Sequence, residues 1–268
     1  MLFDTHCHTY LSKEKNEIDI LNEIKENNNL YITNIWVDLE TSQHCIDIAS
    51  KYDFAYATVW IHPCDVLKYP NLEKTINKLE ILAKNKKIVA IWECGLDYYR
   101  LPPRLECNIE IESIKSLQKE FFIAQIELAK KLNLPLVIHN REAWFDVFEI
   151  LQKTVFKNFI MHCYSENLEY ALKLLNFAPD CMISFSWILT FNSAKNVQET
   201  ASKIPLRNIL IETDSPYLAP APFRGQENYP YNVEKIFEKL CSLRSESKEK
   251  IEKVVWENSL RVFGIEKS

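Results

Sequence analysis

Leu2-Phe3-Asp4-Thr5-His6-Cys7-His8 opens the chain as an apolar run that ends in His-x-His. In an extended strand alternate residues share a side, so His6 and His8 face one way and can grip one ion, while Cys7 faces the other. Neutral imidazoles suit divalent ions. The same figure recurs down the sequence. His62 ends Thr58-Val59-Trp60-Ile61-His62, His139 ends Leu136-Val137-Ile138-His139, and His162 ends Phe159-Ile160-Met161-His162. Glu93 closes Ile88-Val89-Ala90-Ile91-Trp92-Glu93, and Asp214 closes Ile209-Leu210-Ile211-Glu212-Thr213-Asp214. An imidazole or carboxylate buried at a strand end is costly unless paired or metal-bound. Its recurrence at equivalent places points to shared ions. Of the six histidines only His44 stands apart, in polar Thr41-Ser42-Gln43-His44-Cys45, and reads as a solvated helix residue.

Working outward, these runs are strands in a repeating unit. The expected strands are Leu2 to His8, Tyr31 to Val37, Phe54 to His62, Ile88 to Asp97, Pro135 to His139, Phe159 to Tyr164, Cys181 to Ser186 and Ile209 to Asp214. Amphipathic segments separate them. In the clearest, Ile114, Leu117, Phe121, Ala124 and Leu128 step by threes and fours along one helical face. Strand then helix, eight times over, is the footprint of an α/β fold of TIM-barrel type, a (β/α)8 barrel, here a single domain over residues 1–268. That fold builds its active site at the C-terminal ends of the strands, where every candidate ligand falls. The Pro-rich stretch from Pro216 to Pro230 reads as a loop over the barrel mouth.

Composition agrees. With 268 residues, 47% hydrophobic and 26% charged, the chain can bury a large core. No apolar stretch approaches the ~20 residues of a membrane helix, so no membrane partner is expected. A candidate ligand at His6 leaves no room for a cleaved leader, which makes a cytoplasmic location the expectation. The eight cysteines contain no C-x-x-C pair, which argues against a zinc ribbon or a disulfide framework. Cys7, Cys94 and Cys163 adjoin candidate ligands, and strand alternation makes them packing residues on the opposite face. With 32 basic and 37 acidic residues the chain lacks the footprint of a tight duplex binder, and no obligate protein partner is indicated.

Read in order, His6-Cys7-His8, His62-Pro63, Glu93-Cys94-Gly95-Leu96-Asp97-Tyr98-Tyr99, His139-Asn140-Arg141-Glu142-Ala143, His162-Cys163-Tyr164-Ser165 and Glu212-Thr213-Asp214-Ser215-Pro216-Tyr217-Leu218 resemble the TatD-type DNases over nearly the whole chain. The resemblance implies a metal-dependent deoxyribonuclease, exonucleolytic, with two divalent ions drawn from Mg²⁺, Mn²⁺ or Zn²⁺. One ion would be held by His6, His8, Glu93 and Asp214, the other by Glu93, His139 and His162, with Glu93 bridging. Asp214 is the expected group to orient or deprotonate the attacking water, a pure ligand role being the alternative. Arg224, in Pro222-Phe223-Arg224-Gly225, is either a phosphate partner or a surface residue. His62 is expected to contact substrate or support a ligand, and Asp97 and Tyr98 to support their loop. DNA would be taken as a single strand or a strand end. Two other readings stand beside this one: an ester or amide hydrolase such as an aminoacyl-tRNA deacylase, and a catalytically inactive barrel, against which the complete ligand set argues.

The departures carry their own message. Trp60, Trp92 and Trp187, with Trp36 as a fourth case, fall where the resembled family has glycine, and the chain has 3 glycines against about 19 at average usage. An indole forced into a glycine site should overpack at a cost of about 1 to 3 kcal/mol. Reading of UGA codons as glycine accounts for the coincidence; a divergent protein that tolerates the indoles is the alternative. Recoding does not reach Glu166, at another family glycine position, or Phe223, where the family has histidine.

Overall fold

The β-branched and leucine-rich runs form eight strands: β1 Leu2–Cys7, β2 Leu30–Asn34, β3 Ala55–Val59, β4 Ile88–Asp97, β5 Leu136–Arg141, β6 Phe159–Met161, β7 Met182–Phe185 and β8 Ile209–Ile211. All are parallel, and each pairs with the next in sequence order. The computed structural model describes residues 1–27, 29–35, 42–101 and 110–266. Its helices are α1 Glu17–Asn27, α2 Ser42–Lys51, α3 Leu72–Leu82, α4 Ile111–Leu132, α5 Trp144–Thr154, α6 Leu168–Phe177, α7 Lys195–Lys203, α8 Val233–Leu243 and α9 Lys248–Phe263. Local chemistry sets several ends. Asn71, Asn167 and Ser247 cap α3, α6 and α9 by accepting a backbone N–H three residues on, and Asn133 and Gly264 close α4 and α9 in the left-handed conformation. Among the described residues, no helix is long and apolar enough to cross a membrane.

The barrel closes between β1 and the chain just past β8. His8 N–H donates to the Ser215 carbonyl at 2.7 Å, and Asp214 N–H donates to that of His6 at 2.9 Å. Asp4, fully buried, secures the seam by accepting from the Thr213 amide at 2.7 Å and the Thr213 hydroxyl at 2.5 Å. Alternation divides the apolar residues into two cores. An inner plug contains Phe3, Val89, Val137, Ile160, Met182 and Leu210, with Phe263 of α9 packed into it. An outer layer, including Cys7, Ile91 and Cys94, packs the strands against the helices. Each such side chain stabilises the fold by about 1.5 to 3 kcal/mol on burial.

Several expectations shift, beginning with β3, which stops at Val59, short of the predicted His62. β6 and β8 stop at Met161 and Ile211, short of the predicted Tyr164 and Asp214, because Cys163 (φ 44°) and Asp214 (φ 58°) leave the extended region. The strand predicted to reach Val37 is described to Asn34; Trp36 and Val37 lie outside the described residues. On α4, Ile114, Phe121 and Leu128 are buried as expected, but so are Gln118 and Gln125.

Candidate metal centre

The expected ligands arrive from five strand ends. β1 ends at Cys7, with His6 just before and His8 just after it. In β4 the register against β5 shifts between Trp92 and Cys94, a bulge-like irregularity of the kind that re-aims side chains beside active sites. Trp92 joins the inner plug, Cys94 the outer layer, and Glu93 reaches His139 and His162. His139 lies within β5, while His162 and Asp214 follow β6 and β8. Together with His62 they meet at one end of the barrel. His8, His62, Glu93, His139, His162 and Asp214 line a single cleft of about 780 Å³. His6 lies beneath it, fully buried.

The group gathers closely around Glu93. His6 Nε2 and His8 Nε2 are 2.9 Å apart, the separation of two adjacent ligands on one ion at about 2.0 to 2.1 Å. Asp214 Oδ1 is 3.4 Å from the first of these nitrogens and 3.8 Å from the second. Glu93 Oε1 is 3.1 Å from His139 Nδ1 and 3.1 Å from His162 Nε2. Among the described residues, compact groupings able to hold an ion are His6, His8 and Glu93; His62, Glu93 and His139; His6, His162 and Glu212; and His162, Cys163 and Asp214, so His162 sits beside His6 and Asp214 as well as beside Glu93. The expected trio of Glu93, His139 and His162 meets through the carboxylate, and His62 packs edge-on against His139 with ring centroids 4.8 Å apart.

The outer nitrogens show which atoms are free to coordinate. His8 Nδ1–H donates to the Ile35 carbonyl at 2.7 Å. His139 Nε2 meets Asp97 Oδ2 at 3.2 Å, and His162 Nδ1 lies 2.8 Å from Glu212 Oε1, an ion-pair contact. The hydrogen-bonded partners of His8 and His139 leave the inner nitrogen's lone pair for a metal. The donor set around buried Glu93 thus fits a divalent cation, with His6 the one exception, since its Nδ1 is taken by Trp92. His62 differs as well. Its Nδ1 accepts from the Cys64 amide at 3.0 Å, so the neutral ring presents an N–H donor, suited to an anion rather than a cation.

The electrostatics agree. Burial holds His8 down at about 4 and His62 at about 3, and pushes His6 well below the usual imidazole value. Burial also opposes charge on His139 and His162. The carboxylates outweigh it, and both are raised: His139 by Asp97 and Glu93, His162 by Glu212 and Glu93. Positive charge is favoured where the second ion is expected. Asp214 is pushed up to about 7, chiefly by burial.

Several contributors were not foreseen. Gln125 grips Ile61 beside His62, accepting from its amide at 2.9 Å and donating to its carbonyl at 3.2 Å, and Gln118 holds Asp97 in the same way. Two glutamines seven residues apart on an otherwise apolar helix face were the available signal. Arg100 and Arg141 line the cleft, Arg141 stacked 3.9 Å over Tyr99. Arg224 stands over Phe191 at 4.8 Å, in a neighbouring depression that shares Trp187 and Leu218 with the cleft. Cys7 and Cys94 pack in the outer core as expected, but Cys163 corrects the reading: its positive φ breaks strand alternation, and it lines the cleft beside His162 and Asp214. His44 is exposed on α2 and pairs with Glu17.

Trp60 and Trp92 are buried, and none of Trp60, Trp92 and Trp187 has positive φ, so no left-handed backbone requires glycine there. The indole nitrogens fit less well. Trp187 Nε1 is buried without a hydrogen-bond partner, and Trp92 Nε1 occupies His6.

A barrel with imidazoles and carboxylates gathered at its strand ends defines the class of metal-dependent hydrolases. The family model of TatD related DNases matches residues 3–264, and the chain belongs to that family. It is 34% identical over 268 residues to the uncharacterized metal-dependent hydrolase YabD of Bacillus subtilis, covering 99% of this chain and 100% of that protein. It is 33% identical to the uncharacterized metal-dependent hydrolase YcfH of Escherichia coli, covering 100% and 97%. Among solved structures, YJJV, a TatD homolog from E. coli, superposes with a TM-score of 0.86 at 23% identity, covering 99% and 98% of the two chains. A TatD family hydrolase from Entamoeba histolytica gives 0.81 at 22%, covering 99% and 98%.

Proposed function

We propose that this metal-dependent hydrolase is a deoxyribonuclease that removes nucleotides from single-stranded DNA or strand ends with two divalent cations, Mg²⁺, Mn²⁺ or Zn²⁺. The observation that carries the reading is the gathering of His6, His8, His139 and His162 about buried Glu93, whose Oε1 lies 3.1 Å from both His139 and His162, in a family named for DNases. When bound, the cations supply the positive charge that polarises a scissile phosphate and favours ionisation of a water. His8, Glu93 and Asp214, with His6, would hold the first; Glu93, His139 and His162 the second.

The chain's own groups do the rest. Asp214, at the cleft beside His6 and His8, is placed to orient the attacking water or accept its proton. His62 donates Nε2–H to a non-bridging phosphate oxygen, and Arg141 and Arg100 offer guanidinium donors across the cleft. Arg224, one depression away, would pair with the adjacent phosphate of the strand. A cleft of about 780 Å³ on a protein of net charge −5 suits a strand end better than a length of duplex. The seven described cysteines are all free thiols, which fits a cytoplasmic setting.

The test is nucleotide release from 5′- and 3′-labelled single strands. A chelator should abolish it and Mg²⁺ or Mn²⁺ restore it. Cleavage that ignores the chelator, or none under any metal, would overturn the proposal.

A further inference from the structure

Trp92 sets the tautomer of His6. The indole Nε1–H lies 3.0 Å from His6 Nδ1, and an indole nitrogen can only donate. His6 Nδ1 therefore presents its lone pair, and the single proton of the neutral ring stands on Nε2. That is the atom 2.9 Å from His8 Nε2 and 3.4 Å from Asp214 Oδ1. Because His8 gives its own Nδ1–H to the Ile35 carbonyl, its Nε2 is an acceptor and receives the His6 proton. A chain of donors from Trp92 through His6 and His8 to Ile35 thus puts a proton where a shared cation would lie. Nothing comparable affects His139 and His162, whose outer nitrogens face carboxylates.

We propose that Trp92 withholds His6 from the first cation, so that this chain loads its second position readily and its first weakly. The inference rests on the cleft being a cation site, but not on the substrate being DNA. For His6 to coordinate through Nε2, its proton must move to Nδ1 and meet the indole N–H head on. Trp92 is fully buried, with its ring 6.0 Å from that of Phe263, so the donor has no water to turn to. A buried donor deprived of its acceptor weakens binding on the order of tenfold to a hundredfold.

Two variants separate the proton from the bulk. Trp92→Phe keeps an aromatic ring and removes the donor; Trp92→Gly removes both. Nitrogen-15 NMR of the metal-free imidazoles reads the tautomer directly, and Mn²⁺ titration reads affinity and stoichiometry. His6 should be Nε2–H in the parent protein and shift toward Nδ1–H in Trp92→Phe, with first-site affinity rising tenfold to a hundredfold. An Nδ1–H tautomer in the parent would overturn the proposal. So would tightening in Trp92→Gly alone, which would make the effect one of space. Absence of Mn²⁺ binding from all three proteins would overturn the cation-site reading instead, while the NMR tautomer would still decide what Trp92 does to His6.

Discussion

Gly95→Ala tests how closely the backbone of β4 is fitted to the site. Gly95 has φ +138°, and a Cβ built there falls 2.1 Å from the carbonyl oxygen of His139, its register partner on β5. Backbone cannot yield as a side-chain tip does, so the strands must part by roughly an ångström at His139. The sparse backbone conformation costs about 1 to 3 kcal/mol and the overpacking a similar amount, or about 2 to 6 kcal/mol together. For a chain of this size that lowers Tm by about 5 to 20 °C. Misplacing a reacting group by about 1 Å can cost on the order of a hundredfold in rate. Thermal melts with and without Mn²⁺, joined to calorimetric titration, should show an unstable protein whose second cation position is weakened more than its first. A variant that melts within a degree of the parent and binds both cations normally would refute the reasoning.

Glu93→Gln should depress hydrolysis more than His139→Ala, since the carboxylate serves both positions and the imidazole one; comparable rates for Glu93→Gln and the parent would remove the bridging role. Cation uptake should strengthen as pH rises through neutrality. Asp214 near 7, and His139 and His162 held above the usual imidazole value, must lose protons to bind, whereas His8 near 4 and His62 near 3 are already neutral. Calorimetry in two buffers of different ionisation enthalpy should reveal net proton release, and affinity unchanged between about pH 6 and 8 would contradict it. Codons at positions 60, 92 and 187 decide between the recoded and the divergent reading: UGA would make these glycines in the native protein and leave His6 free, so that the effect of Trp92 would belong only to protein made with tryptophan there, whereas UGG would make the indoles genuine.

The barrel and the convergence were legible because both depend on periodicity. Apolar runs ending in His6, His62, Glu93, His139, His162 and Asp214 mark strand ends, and strand ends of a parallel barrel share one face. What escaped depended on departures from periodicity. Cys163 entered the cleft only because its φ turns positive, and the irregular register of β4 let Trp92 reach the inner plug while the adjacent Glu93 reaches the imidazoles. The second rank of support was hidden because its residues look ordinary in sequence. Asp4, Glu212, Gln118 and Gln125 gain meaning from partners far along the chain. Arg100 and Arg141 carried no signal that separates cleft from surface.

The central claim is that Glu93 stands between two cations. Anomalous diffraction from a crystal grown with Mn²⁺ reads this without reference to any substrate. The account predicts two peaks about 3.5 to 4 Å apart, one beside His8 and Asp214, the other beside His139 and His162, with a Glu93 oxygen on each. The first should be the fainter in the protein that carries Trp92. A single peak away from Glu93, or two peaks that do not share it, would contradict the account.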